Sequence, residues 1–179
     1  LYTRGNGTHG RNISYLLHYL LPYVKETGEN YSVRGELIIK KSVFNSCYRE
    51  KYANARNLVC GLLNRNFSAE YESDYLNIDF VVYDLYIEHM NYAEKFKWLT
   101  DHGYSTVAHE TNIAESSMNV MKCDSILSWW KQDGYDYEID GIIVTNHDVH
   151  VHTSEHKNPD FAFAYKNNDL CTNMSVGVV

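Results

Sequence analysis

The sequence predicts an α+β fold in a single domain, with antiparallel sheets flanked by helices. Segments with strand character and segments with helix character are intermixed along the chain, without the regular alternation that builds a parallel sheet. Hydrophobic residues make up 44% and aromatic residues 14% of the 179 residues, which is enough to form a packed core. Only two prolines occur, and no linker rich in glycine and serine divides the chain.

The predicted elements follow from hydrophobic periodicity, capping residues and β-branched content. The first half contains a helix around leucines 16–21 that stops at Pro22, a strand over 31–40, a helix over 42–52 capped by Ser42, a helix over 56–63 and a strand over 79–87. The second half contains a helix over 91–103 closed by Gly103, a strand over 105–110, a helix over 124–131 capped by Asp124, and strands over 140–144 and 161–166. The apolar stripe of Ile126, Leu127 and Trp130 is typical of a core-facing helix.

Charge and cysteine usage limit the classes of partner. A formal net charge of −7 argues against a strong nucleic-acid binder, although a local basic stripe remains compatible with it. The four cysteines are scattered without a C-x-x-C pair, so we expect reduced thiols in an intracellular protein rather than a zinc site or disulfides. No segment is long and apolar enough to cross a membrane, and we expect a monomer without a membrane partner.

Five short motifs occur in order along the chain: TRGNG at 3–7, VRGE at 33–36, ANARN at 53–57, FVVY at 80–83 followed by EIDGIIV at 138–144, and AFAYK at 162–166. Each motif alone is a weak signal, whereas their order is specific. Together they resemble the adenylation domain of NAD-dependent DNA ligases over nearly the whole chain. The resemblance implies the nucleotidyltransferase fold that these ligases share with mRNA capping enzymes.

The resemblance also implies a reaction. A lysine amine attacks the α-phosphate of NAD to form a lysyl-AMP, the adenylate passes to a 5′-phosphate of nicked double-stranded DNA, and a 3′-hydroxyl displaces AMP. Negative charge builds up on phosphate oxygens at each step, so fixed cations and a divalent ion such as Mg²⁺ are expected. The implied cofactors are NAD, or ATP in a related branch, and Mg²⁺.

Three candidate residues would hold the nucleoside, by resemblance. Tyr83 of FVVY would stack on adenine, and Glu36 of VRGE would accept a hydrogen bond from the ribose hydroxyl. Arg4 of TRGNG would approach the phosphate or ribose, with Gly5 and Gly7 allowing close backbone approach. The alternatives are a core-facing tyrosine, a solvated strand carboxylate and a plain turn.

The remaining candidates would meet phosphate or metal, by the same resemblance. Asp140 of EIDG would help to bind the metal, and Ile142, together with Val144, would wall the nucleotide pocket. Lys166 of AFAYK would neutralise the α-phosphate, for which a surface lysine at a strand end is the alternative. Two arginines would contact DNA phosphate. They are Arg56 of ANARN, for which a surface salt bridge is the alternative, and Arg65, which lies one position out of register.

The chain departs from the family pattern at three places. The second arginine of the family falls at Asn64, one position before Arg65. The family lysine five residues after the EIDG aspartate is replaced by Thr145, which puts catalytic competence in question unless Lys157 substitutes for it. An Arg-Trp pair that usually precedes the last lysine is also absent. Divergence of this kind would suit a large DNA virus or phage.

The KQDG at 131–134 matches the K-x-D-G that carries the nucleophile in this family, but there that motif precedes TRGNG by a couple of dozen residues. We therefore expect Lys131 to be a cation at a helix C-terminus and not the nucleophile. Because TRGNG begins at position 3, residues 1–179 are expected to be a partial adenylation domain. An NAD-recognition module and the true K-x-D-G would precede it, an oligonucleotide-binding barrel would follow it, and alone it would not self-adenylate.

Other interpretations remain open. An ATP-dependent DNA ligase or an RNA ligase would carry similar motifs, and a degenerate nucleotidyltransferase kept as a binding module would tolerate Thr145. A generic α+β binding domain would need all the motifs to match by chance. The histidines at 147, 150, 152 and 156 lack the spacing of a helical ligand pair, so we expect solvated loop residues.

Overall fold

Two small sheets and six α-helices form the part of the chain that the computed structural model describes, which is residues 1–21, 28, 30–150 and 159–166. The helices are α1 (Leu17–Leu20), α2 (Lys41–Cys47), α3 (Ala55–Asn64), α4 (Glu72–Tyr75), α5 (Tyr92–Asp101) and α6 (Val120–Trp129). The strands are β1 (Ser32–Ile38), β2 (Asp79–Tyr86), β3 (Ser105–Thr106), β4 (Ile142–Thr145) and β5 (Ala162–Tyr165). Short 3₁₀ turns precede α1, α4 and α6, and one π turn, Trp130–Gly134, follows α6. The predicted stop at Pro22 lies outside the described residues.

The first sheet has the order β1-β2-β3 and the second pairs β4 with β5. The predicted antiparallel pairing is confirmed for β1 with β2 and for β4 with β5. It is wrong for β3, which runs parallel to β2 because α5 carries the chain back across the sheet. The strand predicted over 105–110 also shortens to two residues.

Each sheet belongs to its own hydrophobic core. The larger core, which defines the first lobe, includes Leu16, Leu58, Leu62, Leu85 and Leu99. The smaller core, which defines the second lobe, is built from Cys123, Ile126, Leu127 and Ile142, with Trp130, Val144 and Tyr165 packed against it. The core role predicted for the apolar stripe of α6 is therefore confirmed. Among the described helices, none combines the length and apolar character needed to cross a membrane.

The capping residues of two helices differ from those predicted. Helix α6 starts at Val120 and not at Asp124, because the side chain of Asn119 accepts a hydrogen bond from the Lys122 amide at 3.0 Å. Asp124 lies inside the helix, where it accepts a hydrogen bond from the Tyr165 hydroxyl at 2.8 Å. Helix α2 starts at Lys41, so Ser42 is not its cap. The prediction for α5 is confirmed, with an Asn91–Glu94 capping box at its start and Gly103 at φ 87° after its end.

A set of hydrogen bonds around Asp136 joins the two lobes. The backbone carbonyl of Asp136 accepts from the Lys41 amide at 2.7 Å, and its carboxylate accepts from the Ser42 amide at 3.1 Å and from the Ser42 hydroxyl at 2.5 Å. The Lys41 ammonium donates to the Lys131 carbonyl at 3.2 Å, which gives the KQDG segment a structural contact. Nearby, the Tyr137 hydroxyl donates to Asp79 at 2.8 Å. The start of α2 is thus fixed to the segment that leads into β4.

Asp136→Asn is expected to lower the melting temperature at neutral pH by about 2–4 °C. The Ser42 hydroxyl lowers the pKa of Asp136 below its ordinary value of 3.8. A carboxyl with a lowered pKa stabilises the fold when it is ionised, and this contribution disappears as the pH falls through the folded-state pKa. Thermal unfolding of both proteins at neutral pH and in acid below the folded-state pKa of Asp136 checks this, because the difference should vanish there. Asp148→Asn, an exposed control, should show no such difference, and an equal loss at both pH values for Asp136→Asn would contradict the account.

Candidate functional site

A cavity of about 270 Å³ lies between the two lobes. The first lobe contributes Glu36 and Ile38 of β1, Val81 of β2 and Val107. The second lobe contributes Tyr135, Glu138, Ile139, Asp140, Gly141, Ile142, Ile143, Ala164 and Lys166. The walls are mainly aliphatic, and the lining residues include the charged Glu36, Glu138, Asp140 and Lys166. Aliphatic walls with a few charged groups are typical of a small-molecule site.

Strand alternation places Glu36 at this cavity. In the β1–β2 ladder Glu36 pairs with Val81, while Val33 and Leu37 on alternate positions pack against the larger core. Val81 is buried but belongs to neither core, and it lines the cavity beside Glu36. The carboxylate predicted to hold the ribose therefore lies at the opening of an aliphatic wall.

Gly141 brings Lys166 against the Asp140 segment. In the β4–β5 register Ile142 pairs with Tyr165, which sets Gly141 next to Lys166. A Cβ atom on Gly141 would lie 2.5 Å from the Tyr165 carbonyl oxygen and 2.8 Å from Cγ of Lys166. Only glycine leaves room for this crossing, so the glycine of EIDG allows the carboxylate of Asp140 and the ammonium of Lys166 to line one cavity.

Alternation along β4 also decides which apolar side chains meet the cavity. Ile142 is buried in the smaller core and reaches the cavity as well, whereas Ile143, 70% exposed, lines the cavity only. Val144, predicted to wall the pocket, packs against the smaller core instead. Thr145, at the position of the family lysine, pairs with Ala162 and is not among the residues that line the cavity.

Tyr83 lies at an irregularity in the first sheet. The β1–β2 register shifts between Arg34 and Gly35, so that Tyr83 is an extra residue with no partner on β1. A Cβ on Gly35 would lie 2.6 Å from the Val81 carbonyl oxygen, so the glycine of VRGE permits this close approach of the strands. The Tyr83 side chain is 39% exposed and does not line the cavity itself.

The ionisation of Tyr83 shows which charges surround its ring. Burial raises the pKa of Tyr83, Glu36 and Asp84 raise it further, and the cations Arg34 and Arg4 oppose the rise. Arg4 and Glu36 therefore both lie within electrostatic range of the Tyr83 hydroxyl. Of these three residues, which come from three separate motifs, Glu36 lines the cavity, whereas Tyr83 and Arg4 do not.

The turn that carries Arg4 is fixed by its own backbone. Gly5 has a φ of 55° and Gly7 a φ of 95°, and a Cβ on Gly5 would lie 1.8 Å from the His9 carbonyl oxygen. The Asn6 side chain accepts from the His9 amide at 2.8 Å. This geometry shows that the turn itself requires glycine, as in the plain-turn alternative, and it fixes the backbone around Arg4. The close approach of Gly5 and Gly7 to a nucleotide stays a prediction.

The two predicted phosphate-contacting arginines lie at opposite ends of α3, and neither belongs to the cavity wall. Arg56 is exposed in the first turn of α3, which Asn54 caps by accepting from the Asn57 amide at 2.8 Å. Arg65 follows the last turn, with its guanidinium 4.9 Å from the centroid of the Tyr71 ring. Neither arginine lines the cavity.

The donor set fits a magnesium ion that is held partly by phosphate. Within the described residues no group of three or more His, Cys, Asp or Glu side chains could hold a metal by itself. Glu138 and Asp140 both line the cavity, and Mg²⁺ is usually bound by one or two carboxylates together with substrate phosphates.

Four histidines were predicted to be solvated loop residues. Of these, His150 stacks on Phe161 at 3.7 Å between ring centroids, and His147 is exposed. The other two, His152 and His156, lie outside the described residues.

Several residues around the site were not predicted from the sequence. Ile143 could have been identified from strand alternation, since it faces opposite to Ile142. Val107 and Tyr135 carry no motif, and only the arrangement of the lobes brings them to the cavity. Lys95 of α5 is 2% exposed and forms an ion pair with Asp84, although a lysine on an amphipathic helix is expected in solvent.

Comparison with known proteins shows the family of this chain. The family of the NAD-dependent DNA ligase adenylation domain matches residues 1–169. The DNA ligase of Acanthamoeba polyphaga mimivirus is 34% identical over 175 residues, which cover 93% of this chain and 26% of the viral protein. The DNA ligase of Aquifex aeolicus is 29% identical over 189 residues, which cover 92% of this chain and 25% of the bacterial protein. The chain thus spans about a quarter of the length of these relatives, and it belongs to the NAD-dependent DNA ligase adenylation domain family.

Proposed function

We propose that this chain is the nucleotide-binding part of a DNA ligase that seals nicks with NAD as the AMP donor, and that it has the nucleotidyltransferase fold. The observation that carries the proposal is the convergence of Glu36, Asp140, Ile142 and Lys166 on one cavity between two lobes. These residues come from three motifs separated by up to 130 positions, and neither core requires the three charged side chains there. Membership of the ligase adenylation family supports the same conclusion.

Different residues of the cavity wall would bind different parts of an adenylate. Aliphatic side chains such as Ile38, Val81 and Ile143 offer contact to the base and ribose, and Glu36 accepts from a ribose hydroxyl. Lys166 places a positive charge where the phosphate would lie, which offsets charge that builds up during transfer. Asp140 is the carboxylate suited to hold Mg²⁺, which supplies positive charge to phosphate oxygens.

Charge distribution supports DNA as the second substrate. Residues 1–21 and 51–69 carry five Arg and Lys side chains and no Asp or Glu, on a chain of net charge −7. The two segments touch, because the Arg11 guanidinium donates to the carbonyls of Leu63 at 2.6 Å and Arg65 at 3.1 Å. Glu72 lies at the edge of this surface, where it accepts from the Tyr19 hydroxyl at 3.2 Å. The excess of cations in these two segments of an acidic protein suits the phosphate backbone of nicked double-stranded DNA.

A nick-joining assay tests the proposed function. The ligase polypeptide that carries this chain should seal nicked duplex DNA with NAD and Mg²⁺ but not with ATP. Sealing with ATP alone would place it in the ATP-dependent branch. Sealing with neither donor, together with retained AMP binding, would favour a degenerate binding module, the alternative to which Thr145 points.

Tyr83→Ala is expected to weaken binding of AMP by about 5- to 150-fold, which corresponds to about 1–3 kcal/mol of base stacking. Tyr83→Phe, the matched control, should bind AMP almost as well as the wild type because it keeps the ring face. Isothermal titration with AMP measures both. A Tyr83→Ala protein that binds AMP with unchanged affinity would contradict the assigned role.

Arg56→Ala and Arg65→Ala should each weaken binding of nicked duplex DNA uniformly across sequences and reduce the salt slope of the binding constant by about one. The reason is that each phosphate contact releases condensed counterions. Fluorescence anisotropy over a series of salt concentrations measures the slope. Lys97→Ala, which removes an exposed lysine paired with Asp101 on α5, is the control and should leave the slope unchanged. Unchanged slopes for both arginine variants would show that the ends of α3 do not contact DNA.

A further inference from the structure

A buried ion pair lies directly behind Tyr83. The Lys95 ammonium is 3.6 Å from the Asp84 carboxylate, with Lys95 2% and Asp84 9% exposed. The same ammonium lies 4.9 Å from the centroid of the Tyr92 ring. The pair joins α5 to β2 at the residue that follows Tyr83.

The position of this pair matters because Tyr83 has no partner on β1. An extra residue in a bulge is left unpaired, so the ladder is disrupted there and the side chain can be re-aimed. On one side of Tyr83 the close approach of Gly35 to the Val81 carbonyl fixes the backbone. On the other side, Asp84 pairs with Arg34 in the ladder and with Lys95 through its carboxylate. The backbone on each side of Tyr83 is thus held, by the close approach of Gly35 and Val81 on one side and by the contacts of Asp84 on the other.

Stability alone does not account for such a pair. Burying two charges costs about as much as their attraction returns, and well-packed apolar residues often serve as well or better. A buried pair does select one backbone arrangement, because any other leaves a charge buried without its partner. A positional role at the irregular point of the sheet is consistent with these energetics.

We propose that Asp84 and Lys95 are positioning residues that hold the Tyr83 ring in the direction needed to stack on the adenine of the AMP donor. The inference rests on the proposed nucleotide site. It assigns no contact with the nucleotide to either residue. Loss of the pair is expected to act on AMP binding only through Tyr83.

A double-mutant cycle with AMP tests the inference on the whole chain. Lys95→Met should weaken AMP binding by about tenfold when Tyr83 is present and should have no further effect in the Tyr83→Ala protein, because coupled residues do not act additively. Lys97→Met, on the exposed face of the same helix, is the control and should change neither affinity. An equal loss in both Tyr83 backgrounds, or no loss in either, would overturn the inference.

A second variant keeps the test decisive if Lys95→Met alone unfolds the protein. Asp84→Asn combined with Lys95→Met removes both charges, so it should fold and still bind AMP about tenfold more weakly. Wild-type affinity in this folded protein would overturn the positioning role. Failure of the proposed function is recognised separately, because Tyr83→Ala would then bind AMP as the wild type does.

Discussion

Lys166→Ala is expected to slow adenylate transfer by about 10²- to 10³-fold in the ligase polypeptide that carries this chain. Among the described residues that line the cavity, Lys166 is the only cation. Its loss leaves the carboxylates of Glu36, Glu138 and Asp140 facing the phosphate without an opposing side-chain charge from the cavity wall. Single-turnover formation of the covalent AMP adduct from radiolabelled NAD measures the rate.

Lys131→Ala is the matched control for Lys166→Ala. Lys131 lies in KQDG, which matches the nucleophile motif by letters, but Lys131 does not line the cavity, and its carbonyl serves the contact between lobes. The substitution keeps that carbonyl, so the rate of adduct formation should stay near the wild-type value. A large loss for Lys131→Ala with little loss for Lys166→Ala would reverse the two assignments and contradict the site.

Gly141→Ala is expected to lower the free energy of unfolding by about 1–3 kcal/mol and to weaken AMP binding strongly. The added methyl would lie 2.5 Å from the Tyr165 carbonyl oxygen and 2.8 Å from Cγ of Lys166. Because backbone is the nearer neighbour, β4 and β5 must separate, and Lys166 moves away from Asp140. Denaturant unfolding measures the stability and titration with AMP measures the binding.

Gly61→Ala makes the same chemical change as Gly141→Ala, but we expect it to have the opposite effect on stability. Gly61 lies inside α3, where an added methyl would meet only the Tyr52 ring, at 3.9 Å. Alanine favours a helix over glycine by about 1 kcal/mol, so this variant should be more stable and bind AMP normally. Gly141→Ala with wild-type stability and affinity would show that the crossing of Lys166 over Gly141 is not required.

Much of the fold was predictable because local patterns and tertiary packing agree. Strand β2 has the alternation and β-branched content of a half-buried strand, and α5 carries a capping box and a closing glycine. The predicted start of α6 was wrong because Asn119, and not Asp124, accepts the hydrogen bond that caps the helix. The parallel direction of β3 depends on where α5 packs, which a two-residue strand cannot encode by itself.

The candidate site was predictable as a set of residues but not as an arrangement. Short motifs identified Glu36, Asp140 and Lys166, which line one cavity, and Arg56, which lies apart on α3. Which motif residues share a cavity depends on how two lobes pack, and this information is spread over the whole chain. The burial of Lys95 could not be predicted for a related reason. Its partner Asp84 lies on β2, so the pattern of residues along helix α5 does not reveal the ion pair.

The proposed function depends on binding of the adenylate in the cavity between the two lobes. Titration of the isotopically labelled chain with AMP, followed by the backbone amide signals, tests it most directly. We expect saturable shifts at Glu36, Gly141, Ile143 and Lys166. Shifts confined to the smaller cavity of about 170 Å³ beside Leu20, Leu76 and Ser105, or no saturable shift at all, would contradict it.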